Sequence, residues 1–195
     1  DEAGVDALLA VARETPYYHL FHLALYTGLR RSELLGLRWK DVDLYLSNLS
    51  VTQVMHRLQG SRVIFLEPKT AKSRRQVSLT PDSAITLREH YEQQKQDREA
   101  LGMSLDGDSL VFSRLDGTPL PPITVNHAFI RIMRKAGLSG IRMHDLRHTH
   151  ATLHDEARCQ PENRPGAIRA FILRGYDGHL QPCCTGVAGS SSYRV

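Results

Sequence analysis

The spacing of hydrophobic residues changes twice along this chain, and this change limits the possible folds more than any single motif does. Apolar side chains recur every three to four residues in segments 5–13 and 17–27, which Pro16 separates. From Leu49 the apolar residues fall instead in short, β-branched segments. Helical spacing returns after Pro81. We therefore expect a mostly α-helical fold with a small antiparallel three-stranded β-sheet.

Local signals place the individual elements. Three leucines on one side of the segment RRSELLGLRW predict a third helix. The segments LSVTQVMHR, SRVIFLEP and RQVSLT predict the three strands of the sheet. A long polar helix is expected from Pro81 to about Ala100, followed by a short LVFS segment and by helices at 124–136 and from about residue 144.

Composition favours one globular unit with a mild attraction to polyanions. The 195 residues are 41% hydrophobic and 24% charged, with a net charge of +4. No apolar run reaches the length of a membrane helix, and the first residues contain no signal segment, so we expect a cytoplasmic protein without a membrane partner. The cysteines Cys159, Cys183 and Cys184 form neither a disulfide framework nor a paired metal motif.

Two motifs and a basic loop between them carry the functional signal. The motifs are TGLRRSEL at 27–34 and HDLRH at 144–148, and the loop begins with Pro68-Lys69-Thr70. In this order and separation they resemble the catalytic domain of the tyrosine recombinase (phage integrase) family, and the resemblance covers residues 1–153. It implies site-specific DNA cleavage and rejoining through a 3′-phosphotyrosyl intermediate, with four catalytic residues, namely Arg30, Lys69, His144 and Arg147.

The chemistry of these side chains suits phosphoryl transfer. Guanidinium groups stabilise the charge that develops on phosphate oxygens without a metal, so Arg30 and Arg147 are expected to clamp one phosphate from opposite sides. Lys69 is expected to protonate the leaving oxygen, and His144 to support the phosphate or the tyrosine proton. No cofactor is expected, and the expected partner is double-stranded DNA. The residues expected to contact DNA are Arg30, Lys69, Lys72, Arg74, Arg147 and His148.

Several of these basic residues and histidines also have a non-catalytic interpretation. Lys72, Arg74 and Arg75 could be mere phosphate or solvent contacts, and Arg31, Arg38 and Arg57 are taken as surface charge. Histidines at 144, 148, 150 and 154 have helical spacing that could suggest zinc. The glutamate of an HExxH motif is absent, however, and a cationic arginine in the interval disfavours a bound dication, so no metal is expected.

The chain departs from the family after Leu153. Residues 154–195 contain neither an LGH box nor a tyrosine in a DTY-like context, and Tyr176 comes too early. Ile168 to Phe171 can be encoded by codons that read Leu-Gly-His when shifted by one base, and Gly178 to Gln181 by codons that read Asp-Thr-Tyr. We therefore expect a frameshift near residues 153–154, with 1–153 an incomplete catalytic domain and 154–195 an aberrant tail that is not natively folded.

Three hypotheses about activity remain open at this stage. The parent protein is a recombinase of a mobile element, and this chain is inactive because it lacks the nucleophile. Alternatively, the chain is a non-catalytic remnant that binds the DNA backbone. In the third, it is an active, divergent recombinase that uses Tyr193. Self-association on DNA is expected of the intact family and is doubtful for this chain.

Overall fold

The computed structural model describes residues 2–58, 62–68 and 74–151 of the chain. The predicted tail at 154–195, including Tyr193, lies outside these residues, as do the candidate site lysines Lys69 and Lys72. The described part folds around one buried hydrophobic cluster to which the helices and the sheets contribute. Within it, no helix is long and apolar enough to cross a membrane.

Two N-terminal helices supply much of the core. Helix α1 runs Glu2–Arg13 and helix α2 runs Tyr18–Thr27, as the apolar spacing predicts. Phe21 is fully buried, and its ring meets that of Phe129 edge-on at 5.4 Å between centroids. Gly28 ends α2 in the left-handed conformation with φ 59°, and its N–H donates to the carbonyl of Ala24 at 3.1 Å.

Two later helices enclose the other side of the core. Helix α4 runs Pro81–Ala100, and the Thr80 side chain caps it by accepting from the N–H of Ser83. Helix α5 runs Pro122–Lys135 and buries one apolar face. A final described helix, α6, covers 145–151, where Leu146 is buried. These positions confirm the predicted helices to within a few residues.

The predicted third helix is much shorter than its apolar pattern suggests. Helix α3 covers only Arg31–Leu34, and the chain then leaves the helix at Gly36. The side-chain amide of Gln53 donates to the carbonyl of Gly36 at 2.8 Å, and a Cβ at this glycine would lie 3.1 Å from the carbonyl of the same Gln53. Close packing against a neighbouring backbone therefore takes the place of the expected helical turns.

The strands are antiparallel as predicted, but they form two sheets instead of one. Their bounds are β1 Val42–Asp43, β2 Asn48–Ser50, β3 Val54–Arg57, β4 Val63–Leu66 and β5 Gln76–Ser78. One sheet has the order β1-β2-β5, and the other pairs β3 with β4. The predicted strand LSVTQVMHR is interrupted at 51–53, where buried Val51 donates its N–H to the carbonyl of Arg75. Strand β1 has no counterpart in the sequence prediction.

Candidate functional site

Residues of both sequence motifs line one cavity of about 240 Å³. We call it the arginine cavity. Its lining residues are Leu29, Arg30, Arg31, Asn126, Arg142, Met143, His144 and Arg147. The fold therefore brings together Arg30, His144 and Arg147, as the sequence predicts. Arg31 belongs to the first motif, but the sequence analysis treats it as surface charge. Asn126 and Arg142 lie outside both motifs, and no local pattern marks them.

Arg30 is held at the start of α3 by a buried carboxylate. The backbone of Arg30 is extended, and its N–H donates to Oε2 of Glu33 at 2.7 Å. Its guanidinium Nη1 donates to Oε1 of the same carboxylate at 3.0 Å. The side chain of Arg30 is 51% exposed, whereas that of Glu33 is 2% exposed. Glu33 therefore holds both the backbone and the guanidinium of Arg30, while part of this side chain remains exposed at the cavity.

Glu33 also binds a second arginine, Arg75, for which the sequence suggests only a phosphate or solvent contact. Nη1 and Nη2 of Arg75 donate to the two oxygens of Glu33, each at 3.0 Å. Burial raises the pKa of Glu33, but the hydrogen bonds from Arg75 and Arg30 outweigh burial and hold this pKa below its ordinary value. Glu33 therefore stays charged and links α3 to the residue just before β5.

Arg147 reaches back to the end of α2. Its Nη1 donates to the carbonyl of Gly28 at 2.6 Å, across 119 residues of sequence. Gly28 needs its left-handed φ of 59°, and a Cβ added there would lie 2.7 Å from Cδ2 of His150. Gly28 of the first motif therefore helps to position the second motif, because its carbonyl accepts a hydrogen bond from Arg147 and its missing side chain leaves room for α6.

His144 lies at the rim of the arginine cavity, one residue before α6. Its ring meets that of His148 edge-on at 5.3 Å between centroids, and both residues are exposed. The carbonyl of His144 accepts the N–H of Arg147 at 3.2 Å, so the two residues share one turn. His148 does not line the cavity.

The remaining predicted residues lie elsewhere or outside the described part. Arg74 is exposed and pairs with Glu67 beside a separate cavity of about 310 Å³. The structure does not bring Arg74 to the arginine cavity. The expected contributions of Lys69, Lys72 and Tyr193 fall on residues that the structure does not describe.

The arginine cavity has a strong positive character. Four arginines and one histidine line it, and no carboxylate is among its lining residues. Cations brought together in this way repel one another unless an anion joins them. Guanidinium groups match phosphate oxygens in geometry and keep their charge at any physiological pH. The arrangement can therefore bind a phosphate and stabilise charge on its oxygens.

The described residues contain no group of three or more His, Cys, Asp and Glu side chains that could hold a metal ion. The exposed histidines on and beside α6 are accompanied by Arg147 on the same turn. The side chains present at the cavity are hydrogen-bond donors that suit an anion.

Sequence comparisons place the chain among known proteins. The phage integrase family matches residues 1–154. The ICEBs1 integrase of Bacillus subtilis is 32% identical over 167 residues, which cover 83% of this chain and 44% of that protein. The tyrosine recombinase XerC-like protein of Caldanaerobacter subterraneus is 31% identical over 144 residues, which cover 68% of this chain and 37% of that protein. The chain thus spans less than half the length of these relatives.

Solved structures show the same fold. The Tn1549 transposon integrase, in complex with transposon right end DNA, matches with a TM-score of 0.67 and 23% identity, over 91% of this chain and 57% of that one. The XerA recombinase matches with a TM-score of 0.59 and 21% identity, over 90% of this chain and 53% of that one. At these identities the likeness is one of fold.

Proposed function

This chain belongs to the phage integrase family, and we propose that its arginine cavity binds the DNA phosphate at which strands are cut and rejoined during site-specific recombination. The observation that carries the proposal is the convergence of Arg30, His144 and Arg147, from two motifs far apart in the sequence, on one cavity with four lining arginines and no lining carboxylate. The nearby Glu33 carboxylate is buried and is shared between Arg30 and Arg75. Such convergence is unfavourable unless a polyanion binds. The partner in this proposal is double-stranded DNA.

In this reaction the side chains have separate tasks. A tyrosine oxygen attacks the phosphorus, the bond from phosphorus to the 5′ oxygen breaks, and the 3′-phosphotyrosyl link conserves the bond for rejoining. Arg30 and Arg147 stabilise charge on the two non-bridging oxygens, and His144 donates a further hydrogen bond at the rim. Lys69, which the family resemblance assigns as the acid, protonates the departing 5′ oxygen.

We further propose that this chain binds DNA but does not cut it. No tyrosine within residues 1–195 stands in the context that the family resemblance requires, and a frameshift near residues 153–154 explains that loss. Positioned cations alone form no covalent intermediate, because a nucleophile must reach the phosphorus. Self-association on DNA and a cytoplasmic location belong to the same proposal for the intact protein.

Salt-dependent DNA binding by the full 195-residue chain tests the proposal. We expect the logarithm of the association constant to fall linearly with the logarithm of salt concentration. Arg147→Gln should weaken binding roughly tenfold and lessen the slope by about 0.9, since one phosphate contact is lost. Arg134→Gln is the charge-matched control, because this exposed arginine on α5 does not line the cavity.

Equal losses in the two variants would refute a specific role for the arginine cavity. The alternative in which Tyr193 is the nucleophile predicts a different result. In that case the unaltered chain forms a covalent adduct with a nicked duplex, and Tyr193→Phe abolishes the adduct.

A further inference from the structure

We propose that Arg75 is a positioning residue for the arginine cavity: by sharing the carboxylate of Glu33, it leaves the charge of Arg30 available to a DNA phosphate. Arg75 does not itself line the arginine cavity, and it lines a separate cavity together with Arg74. The inference rests on the proposed function, since it takes the phosphate to bind in the arginine cavity. In this role Arg75 acts through Arg30 and makes no contact with the phosphate.

Arg75 is fixed at both its backbone and its side chain. Its carbonyl accepts the N–H of Val51 at 2.9 Å, and the next residue, Gln76, begins β5 and pairs with Ser50 of β2. The side chain is 27% exposed, and its Nη1 and Nη2 donate to the two oxygens of Glu33, each at 3.0 Å. Two parallel hydrogen bonds between a guanidinium and a carboxylate favour one orientation of the pair. The sheet therefore holds a cation in place against Glu33.

Arg30 is paired with the same carboxylate. Its Nη1 donates to Oε1 of Glu33 at 3.0 Å, while its side chain lines the arginine cavity. A carboxylate that pairs with a single guanidinium cancels most of the charge of that group and weakens its attraction for an external anion. Arg30 would therefore be a poor phosphate ligand if Glu33 had no other partner.

The side chains of Arg30, Glu33 and Arg75 together carry one net positive charge, because two guanidiniums share one carboxylate. Charges interact more strongly where water is excluded, and the side chain of Glu33 is only 2% exposed. Arg75 donates to both oxygens of Glu33, whereas the guanidinium of Arg30 donates to one of them. Arg75 therefore neutralises much of the carboxylate, and the charge of Arg30 remains available at the cavity.

The neighbouring Arg74 is a matched control for Arg75. It also pairs with a carboxylate, that of Glu67, but both side chains of this pair are exposed. Neither Arg74 nor Glu67 lines the arginine cavity. Substitution of Arg74 therefore removes the same formal charge, one position away, without changing the partners of Glu33.

The test compares the DNA affinity of the full chain in variants of the two arginines. Arg75→Ala should weaken binding roughly three- to tenfold and lessen the salt slope by up to about 0.9, since Glu33 then neutralises Arg30. Arg74→Ala should weaken binding less than about twofold, because salt screens an exposed charge away from the cavity. Arg75→Lys should keep most of the affinity, because it retains the charge beside Glu33. Equal losses in Arg75→Ala and Arg74→Ala, each measured below its own thermal unfolding transition, would overturn the inference.

Removal of the carboxylate together with its partner tests the charge balance. When Glu33→Gln is added to Arg75→Ala, affinity should return to within about twofold of the unaltered chain, because Arg30 is no longer neutralised. The amide oxygen of the glutamine can still accept the N–H of Arg30. When Glu67→Gln is added to Arg75→Ala instead, an equal charge is removed at the exposed pair and affinity should stay low. Affinity that stays low with Glu33→Gln, or that recovers equally with both substitutions, would overturn the inference.

A second double variant separates positioning from direct contact with DNA. If Arg75 acts through Arg30, then Arg30→Gln combined with Arg75→Ala should bind no more weakly than Arg30→Gln alone. Additive effects on the logarithm of affinity would overturn the inference and indicate that Arg75 contacts DNA itself. The same data separate the two proposals. Loss of affinity in Arg30→Gln but not in Arg75→Ala refutes only the positioning role, whereas unchanged affinity in Arg30→Gln refutes the proposed function of the arginine cavity.

Discussion

Polar side chains have opposite surroundings in two regions of this molecule. In the region packed around α2 and α4, Arg98 is 5% exposed and donates to the carbonyl of Ser104 and to the hydroxyls of Ser109 and Ser113. At the arginine cavity, Arg147 donates to the carbonyl of Gly28 and also lines an open cavity. Arg98 is therefore a structural residue of the core, whereas Arg147 is held in place by a hydrogen bond and remains accessible at the cavity, where we propose that a phosphate binds.

Histidines show the same contrast. His22 is 2% exposed, and His90 stacks on His19 with 4.6 Å between ring centroids and contacts the carbonyl of Val111 at 2.7 Å. His144 is exposed at the cavity rim. Residue type alone therefore does not separate structural from functional residues in this fold, whereas the burial and partners of each side chain do.

The largest effect should be a loss of folding stability in acid, caused by the histidines His22 and His90. Burial lowers the pKa of His22 and of His90 to about 4, so both stay neutral in the folded state while the unfolded chain takes up protons near pH 6.5. Stability should be full above pH 6.5 and fall towards pH 4, with each histidine contributing up to about 1.4 kcal/mol per pH unit.

Urea denaturation at a series of pH values measures this fall. His90→Gln keeps a donor for the Val111 carbonyl and should remove its share of the pH dependence. An unchanged slope in that variant would show that burial does not keep His90 neutral in the folded state.

The next largest effect should distinguish Arg98 from Arg147 by their contributions to the unfolding free energy. Arg98→Ala leaves a void and removes one donor from each of three oxygens, and should cost about 3 kcal/mol of unfolding free energy. Arg147→Gln removes a half-buried side chain and should cost less than about 1 kcal/mol. DNA affinity should show the reverse order in the folded protein. Equal destabilisation by the two substitutions would remove the distinction between the regions.

Two neighbouring arginines provide a third comparison. Arg75→Ala leaves the buried Glu33 carboxylate without its bidentate partner and should cost about 2 kcal/mol. Arg74→Ala removes an exposed pair with Glu67 and should cost less than about 0.5 kcal/mol. The Arg75 cost should shrink as the pH falls through the lowered pKa of Glu33, because a protonated carboxyl no longer requires the cation. A cost independent of pH would contradict the ion pair as its source.

The smallest of these effects concerns the turn between the regions. Gly28→Ala forces a side chain into a left-handed conformation and against His150, and should cost about 1–2 kcal/mol. Because the carbonyl of Gly28 positions Arg147, DNA affinity should fall as well. Gly102→Ala is the control, since Gly102 also has a positive φ but a Cβ there meets nothing within 4 Å. Equal losses of affinity in the two variants would contradict the positioning role.

The sequence predicts the helices well because their apolar periodicity is local. It overestimates α3, since the contact that ends this helix comes from Gln53, a residue of the β region. It also joins residues that the structure divides between two sheets, because the chain up to Val51 bonds to the segment of β5 whereas β3 bonds to β4. The spacing of apolar residues along the sequence does not reveal either tertiary contact.

In the candidate site, too, the residues of sequence motifs are predictable, whereas those placed by tertiary packing are not. The motif resemblance brings Arg30, His144 and Arg147 together, since a family pattern summarises tertiary contacts that a single sequence does not show. The partnership of Glu33 with Arg75, and the presence of Asn126 and Arg142 in the arginine cavity, depend on how distant segments pack. Those residues could be identified only from the fold.

The most direct measurement of the central claim is covalent capture of DNA after repair of the reading frame. One base is deleted near codon 154, and the repaired protein, joined to a DNA-clamping domain, is incubated with nicked duplexes of random sequence. We predict a phosphotyrosyl adduct that forms with the repaired protein, is abolished by Arg147→Ala and is retained in Arg134→Gln. Adduct formation by the repaired protein that survives Arg147→Ala, or by the unrepaired chain through Tyr193, would contradict the account.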